Sequence, residues 1–493
     1  MPFSFPPVII SFRRTMIHDD EKSEGTGAAA PRPRPRLARP EWLLFASLWL
    51  AYGVAINSGN LEAFGLQQAG VEAYVERGHF HLEGSRVERL QVKPVVDAFL
   101  YRGHVYPAKQ PGQFMAGALA YAPLRAAGLS YGRDYLLTAA LVTFLTASLV
   151  TAAAAVAVFG TAREFLKESG GGRGGGVFWP LVAALSYGLG STAFAYSGVA
   201  WHDSLAAGYM TLALWLVLRL GRGGARRPGA ASFAAGALLG LTVTTSMLPA
   251  PPVAVAGLYF VSLKRWRLLP LFAAGGLAGL APLLVYNAVC FGNPLLLPNV
   301  AGGYSDTFFR PSWENFAAKS VFYARMLTLY APVFWAGLVG LALLPRGLRR
   351  ERWLLFGMLA ALAAYILNIE ADGTCQYGPR YLLPAMPLAC AGLAGFGALG
   401  GAGRRRAAAV LVGAAALLSA FVNLVGAAHG AMLCYFPHWA VGRYLSEMFG
   451  GGARAYPLAP WLALPLCAAL LLLARELAAR RGRRGVATPA GEW

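Results

Sequence analysis

Gly103-His104-Val105-Tyr106-Pro107-Ala108-Lys109-Gln110-Pro111-Gly112 closes the one long polar segment of an otherwise apolar chain. The segment begins at Asn57 and carries Glu62, Asp97, His104, Tyr106 and Lys109. Apolar runs dominate the sequence after it. Of the 493 residues, 57% are apolar and 13% charged, against about 25% charged in an ordinary soluble domain. This balance requires an integral membrane protein, and one membrane domain accounts for the whole length. A long polar segment inside such a chain reads as a loop outside the bilayer.

A helix needs about 20 apolar residues to cross a hydrocarbon layer about 30 Å thick. The pattern predicts twelve spans, over 42–56, 134–160, 177–198, 203–219, 230–248, 250–263, 268–288, 328–344, 353–369, 381–401, 407–427 and 459–474. The fold class expected is therefore an all-α polytopic membrane protein. Counted alternately from an inside N-terminus, the inner segments hold 29 of the 43 basic residues but only 10 of the 23 acidic ones. This asymmetry satisfies the positive-inside rule, and it places both termini in the cytoplasm. It also assigns the net charge of +20 to topology rather than to nucleic-acid binding. Three regions follow: a disordered cytoplasmic tail over 1–40, a transmembrane domain over 41–475 with an outside loop over 57–133, and a basic cytoplasmic tail over 476–493. The tail is Pro/Arg-rich and cannot bury a core. Its basic pair Arg13-Arg14 follows the apolar run rather than preceding it, so no cleaved signal is read.

Phe114 to Leu129 is apolar enough to look like a thirteenth span, but a span there would invert every later loop. It is expected to lie in the outer leaflet. Before it, Asn60 as a cap and Gly78 as a stop bracket Leu61, Phe64, Val71 and Val75 at helical spacing, with Glu62, Glu72 and Glu76 on another face. The reading is an amphipathic interfacial helix. Glu62 is either a first-turn carboxylate favoured by the helix dipole or a reactive acid. Asp97 is either a solvated loop acid or its competitor. Lys109, between Pro107 and Pro111, either snorkels to bulk lipid or holds one phosphate as a point charge.

Other loops add candidates. Trp201-His202-Asp203 sits at a span edge, where the His-Asp pair either orients a proton acceptor, binds metal or caps the next helix. Asp306, Arg310, Glu314 and Lys319 lie in the loop after Tyr286-Asn287 and Phe291-Gly292-Asn293-Pro294, a turn signal. In Glu370, Asp372 and Tyr377-Gly378-Pro379-Arg380-Tyr381, Pro379 is expected to start a helix with Arg380 in its first turn. Arg380 pairs either with Glu370 or Asp372 or with a phosphate, which guanidinium matches in a two-pronged geometry. Cys375 and Cys434 fall in outside loops and could be bridged.

Three of these stretches resemble a known family. Asn60-Leu61-Glu62, Asp97 and Gly103 to Gly112, then Tyr286-Asn287 with Phe291-Gly292-Asn293-Pro294, then Gly378-Pro379-Arg380-Tyr381-Leu382-Leu383-Pro384, look like bacterial family-39-type glycosyltransferases. These are membrane enzymes of the GT-C class, related to protein O-mannosyltransferases and to the aminoarabinose transferase of lipid A. The resemblance spans residues 42–400 and implies a polyprenyl-phosphate sugar donor and inverting transfer to a hydroxyl on the outer face of the plasma membrane. The acceptor would be a glycan, a lipid or a protein. The family's base is an aspartate soon after the first span. Here Glu62 stands nearest, and Asp97 competes with it. Lys109 and Arg380 would bind the donor phosphate, with His104, Tyr106, His202, Asp203, Asp372 and Tyr381 as further substrate contacts. Members differ in using a divalent metal ion, so the cofactor expectation is open between none and one such ion. Two rival functions remain: a flippase or transporter of a lipid-linked sugar, and a glycan ligase or polymerase with a lipid-diphosphate donor.

Overall fold

The computed structural model describes residues 40–85, 97–168, 176–304, 306, 308–371, 373, 375–433, 439–451 and 454–485. The tail up to residue 39, Asp372 and the Cys375–Cys434 pairing lie outside the described residues.

The described chain is helical almost throughout. The first part comprises α1 (Pro40–Ala55), α2 (Ser58–Ala63), α3 (Gly65–Glu72), a hairpin of β1 (Ala98–Tyr101) and β2 (His104–Pro107), then α4 (Gly112–Ala126), α5 (Tyr135–Thr143) and α6 (Leu149–Glu168). The middle comprises α7 (Phe178–Gly188), α8 (Thr192–Ser197), α9 (His202–Gly221), α10 (Pro228–Thr245), α11 (Ala250–Ser262), α12 (Leu269–Phe291) and α13 (Pro298–Ala301). The last part comprises α14 (Trp313–Tyr330), α15 (Val333–Ala342), α16 (Arg349–Ile366), β3 (Cys375–Gln376), α17 (Ala385–Gly392), α18 (Ala402–His429), β4 (Met432–Leu433), α19 (Val441–Phe449) and α20 (Ala459–Gly485).

Six helices are long and apolar enough to cross a membrane among the described residues: Tyr135–Glu168, α9, α10, α12, α18 and Ala459–Ala479. The pair α14–α15, bent by 105°, makes a seventh if counted as one span. The twelve expected spans are thus not all matched by full-length helices. Several expected spans are shorter or broken: 177–198 divides into α7 and α8, and 328–344 breaks at Ala331 and Pro332, where proline cannot continue the hydrogen-bond ladder. α20 runs on to Gly485, past the expected end of its span. Leu277, Val285 and Val289 of α12, Val410, Leu411 and Leu417 of α18, and Leu464 and Leu471 of α20 are all exposed. Apolar flanks of this extent suit lipid, which makes the chain a multi-pass membrane protein.

Lipid offers no water to expel between helices, so close packing and hydrogen bonds must hold them. α10 and α12 meet through Gly236 and Gly240 on one side and Gly275 and Gly279 on the other. A Cβ at Gly236 would lie 2.0 Å from the Phe272 carbonyl oxygen, and one at Gly275 2.0 Å from that of Phe233. Each pair is spaced by four residues, one helical turn. Thr244 Oγ1 then donates to the Gly279 carbonyl at 2.8 Å. The main core lies among α6, α7, α9 and α17, with Tyr52 donating to the Gly188 carbonyl (2.8 Å) and Tyr196 to that of Tyr377 (3.1 Å).

The first polar loop differs from the single amphipathic helix expected of it. Asn57, not Asn60, caps α2, accepting from the Asn60 N–H. Asn60 instead accepts from Ala431 N–H at 2.7 Å. The helix breaks at Phe64 and resumes as α3, all of whose residues are buried. Glu72 is buried there, with Ser85 Oγ donating to its carboxylate. Gly78 does end the segment, in the left-handed region after a π-turn. α4 occupies the apolar stretch after the loop. It buries Phe114, Gly117, Ala118 and Tyr121 and exposes Leu119.

Candidate active site

The site starts from a tight hairpin. β1 and β2 pair antiparallel with Tyr101 opposite His104, leaving Arg102 and Gly103 as a two-residue turn. Both have positive φ, +49° and +85°, as a type I′ turn requires. This register brings the residue before β1 beside the residues after β2: Ala108 N–H donates to the Asp97 carbonyl at 2.6 Å. The side chains continue the contact, with Lys109 Nζ 3.0 Å from Asp97 Oδ2. Burial pushes the Asp97 carboxyl up, but the Lys109 ammonium, helped by Arg380, more than offsets this and holds it below the usual carboxylate range.

Gly112 fixes where this hairpin docks. A Cβ there would stand 2.4 Å from Thr245 Oγ1 and 2.8 Å from Thr245 Cα, so only glycine lets the start of α4 meet the end of α10. Ser246, just past α10, donates to Asp203 Oδ1 at 2.9 Å, and Trp201 Nε1 donates to Asp203 Oδ2 at 3.1 Å. His202 Nε2 lies 3.4 Å from Asp203 Oδ1. The Asp203 carboxylate is thus buried, paired and fixed at the N-terminus of α9, where a negative charge suits the helix dipole.

The third contribution comes from the segment before α17. Gly378 has φ +67°, and a Cβ there would meet Thr192 Cγ2 at 2.7 Å and the Tyr330 ring at 3.2 Å. Tyr377 donates its hydroxyl to the Val422 carbonyl at 2.5 Å. Arg380 follows in a 3₁₀ turn, Arg380–Leu382, and the α-helix proper starts only at Ala385. Arg380 is buried, and its Nε lies 4.0 Å from Asp203 Oδ2 without a hydrogen bond of its own. Of the two expected acids on its own loop, Glu370 pairs instead with Arg310 at 2.8 Å, and Asp372 lies outside the described residues. The Trp201 ring lies near both cations, 5.8 Å from Lys109 Nζ and 5.2 Å from Arg380 Cζ, and Arg380 also stacks over Tyr381 at 4.8 Å.

A cavity of about 200 Å³ opens between these parts. Asp97, Lys109, Arg380 and Tyr381 line it, together with Asn299, Tyr304 and Asp306 from the stretch after α12. His202 and Asp203 are not among the lining residues; Asp203 faces Arg380, which is. Glu62 is exposed on α2 and does not line the cavity. Tyr106 is buried among Phe99, Tyr286 and Phe291, and His104 is exposed on β2 beside Glu83. Asn299 and Tyr304, which line the cavity, and Trp201, beside its two cations, belong to no motif that marks them as site residues. Their one sequence signal is position: Trp201 precedes His202-Asp203, and the other two follow the turn at Phe291-Gly292-Asn293-Pro294. Asn287 Nδ2 donates to the Pro294 carbonyl at 3.0 Å, and Gly292 ends α12 at φ +75°. That turn sends the chain back across the cavity, where Tyr304 donates to the Ala98 carbonyl at 3.2 Å.

Two adjacent cations, a carboxylate and aromatic flanks can hold a phosphate ester and accept a proton beside it. Among the described residues one group has the spacing to ligate a metal ion, His81, Glu83 and His104, and none of the three lines the cavity.

No family model matches the chain, and no curated protein matches it. Its fold is similar to two crystal structures of ArnT from Cupriavidus metallidurans. One is bound to undecaprenyl phosphate (15% identity, TM-score 0.47, covering 90% of this chain and 79% of that one). The other is the apo state (14%, 0.45, 88% and 76%). It is also similar to the Archaeoglobus fulgidus oligosaccharyltransferase in complex with Zn and sulfate, at 15% identity and TM-score 0.48, covering 79% of this chain and 54% of that chain.

Proposed function

We propose that this chain is a GT-C-type membrane glycosyltransferase that moves a sugar from a polyprenyl-phosphate donor to an acceptor hydroxyl at the outer face of the membrane. The observation that carries this reading is the placement of Lys109, Arg380 and Asp97 on one cavity. A lipid phosphate is the ligand that two such cations fit, and an apolar bundle beside the cavity suits a polyprenyl tail.

In this reading the donor phosphate lies between Lys109 and Arg380. It competes with Asp97 for Lys109. As the ammonium turns to the phosphate, Asp97 loses the charge that holds its pKa down and becomes a stronger base. Asp97 then takes the proton of the acceptor hydroxyl while that oxygen attacks the anomeric carbon. The bond from the anomeric carbon to the phosphate oxygen breaks, and the two cations stabilise the charge gathering on the leaving phosphate. One displacement inverts the anomeric centre. The Asp203 carboxylate, held by Trp201 and Ser246, keeps Arg380 in place rather than reacting.

The test is release of free polyprenyl phosphate from a polyprenyl-phosphate sugar by the purified protein, with and without an acceptor. Release that depends on Lys109 supports the reading. Transbilayer movement of the intact donor without release would replace it with a flippase, and release of the diphosphate from a lipid-diphosphate donor would replace it with a ligase.

A further inference from the structure

We propose that His81, Glu83 and His104 form a binding site for a borderline divalent cation, Zn²⁺ by preference, that fastens the turn after α3 to the β1–β2 hairpin. The three side chains come from two separate segments, and their ligand atoms all lie within 4.8 Å of one another. The His81 and His104 rings are nearly parallel, with centroids 4.4 Å apart and planes at 22°. Glu83 sits between the two. Its Oε1 is 3.5 Å from His104 Nδ1, and its Oε2 is at close range to His81 Nδ1. His81 Nδ1 and Glu83 Oε2 are in direct contact as an ion pair when the ring is protonated. The ring nitrogen and the carboxylate oxygen are thus aimed at the same point, which a divalent cation would occupy in place of the proton they share.

The surroundings hold the carboxylate in this position. Glu83 Oε1 accepts the Val105 N–H at 2.5 Å. Leu82 N–H donates to the Val105 carbonyl at 2.8 Å. The backbone of the turn is therefore already bonded to β2, and only its side chains have to rearrange around an ion. Around a tetrahedral Zn²⁺, with ligands about 2.0–2.2 Å from the metal, ligand atoms stand roughly 3.3–3.6 Å apart, so side-chain rotation has to part His81 from Glu83 to admit the ion. Two imidazoles and one carboxylate make a nitrogen-rich set that suits Zn²⁺ over Mg²⁺ or Ca²⁺. They leave a fourth position for water. His104 is half-exposed, which gives the ion a path in. His79, stacked on His81 at 3.5 Å, lies outside the ligand group.

The site acts at a distance from the cavity. β2 leads through Pro107 and Ala108 directly into Lys109, so an ion fixing His104 and Glu83 steadies the strand that carries the cavity's lysine.

The experiment uses the full chain in detergent, stripped with a chelator and titrated with Zn²⁺ against a chromogenic competitor. The wild type is expected to bind one Zn²⁺ per chain, and X-ray absorption at the zinc edge should show only nitrogen and oxygen neighbours at about 2.0–2.2 Å. Glu83→Gln and His104→Ala should each weaken binding by about 100-fold or more, since even loss of a supporting partner costs 10–100-fold. His79→Ala should leave it unchanged. His104→Ala removes only a half-exposed side chain, so it keeps the test usable if a change at the more buried His81 unfolds the protein. Uptake by the wild type no greater than by the His81→Ala/Glu83→Gln/His104→Ala variant would overturn the proposal. So would binding that is lost with His79 but kept without His104.

Discussion

Asp97 and Lys109 are twelve residues apart in the chain, and their charged atoms are 3.0 Å apart in space. The hairpin between them accounts for this: eight residues pair and two turn, so the ends meet. The pair lines the same cavity as Arg380, which arrives from more than 270 residues downstream. Its consequences can be measured.

The first concerns the phosphate. Lys109→Ala and Arg380→Ala should each lower release of polyprenyl phosphate by about 10²–10³-fold, the usual cost of removing one group that stabilises developing charge. Both variants should still insert and elute as single species. Arg380→Lys should recover little, because an ammonium cannot reproduce the guanidinium fork. Full turnover in both alanine variants would end the phosphate assignment.

The second concerns the base. Asp97→Asn should abolish transfer, whereas Glu62→Gln should leave it within about threefold, as expected of an exposed side chain off the cavity. If instead Glu62→Gln is the dead variant, the proton goes to α2 and the hairpin carboxylate only positions Lys109.

The third concerns pH. The Asp97 carboxyl is held below its usual range by Lys109. A group with a lowered folded-state pKa contributes stability that is full above the unfolded value, about 3.9 for Asp, and is lost as pH falls through the lower folded value. The thermal midpoint of Asp97→Asn should therefore lie below wild type by a constant margin from pH 5 to 8, and the margin should shrink only below about pH 4. If the donor phosphate draws Lys109 away, the acid limb of kcat should sit at higher pH than that of kcat/KM, which reports the free enzyme. Coincident limbs would show that Lys109 stays with Asp97 throughout.

The fourth concerns Gly378. Its φ is +67°, and a Cβ placed there would come within 2.7 Å of Thr192, so there is no room for a side chain. Gly378→Ala should cost about 1–3 kcal/mol through backbone strain, seen as a lower thermal midpoint. It should also reduce transfer by displacing Arg380 two residues on. An unchanged midpoint would mean that the segment yields freely.

Much of the membrane architecture can be read from composition and charge, because lipid imposes it residue by residue. A span must be apolar, a loop must carry the charge, and a Gly or Pro at a turn reports the backbone it needs. Gly78 and Gly292 are such reports, and both take the positive φ that favours glycine. Arg102 gives no such report: its positive φ follows from the turn it shares with Gly103. The length of the spans was less legible, since a broken pair such as α7–α8 is as apolar as a continuous helix.

The sequence by itself determined that this chain lives in a membrane, that a polar loop near its start carries acids and a lysine, and that a second loop offers an arginine. Only the tertiary structure decided which of these meet. Asp97, not Glu62, stands beside Lys109, and Arg380 faces Asp203 rather than Glu370. The reason is physical: local preference governs neighbours a few residues apart, while contacts between distant segments depend on how helices pack, here through the glycine seam of α10 and α12 and the docking of Gly112 on Thr245.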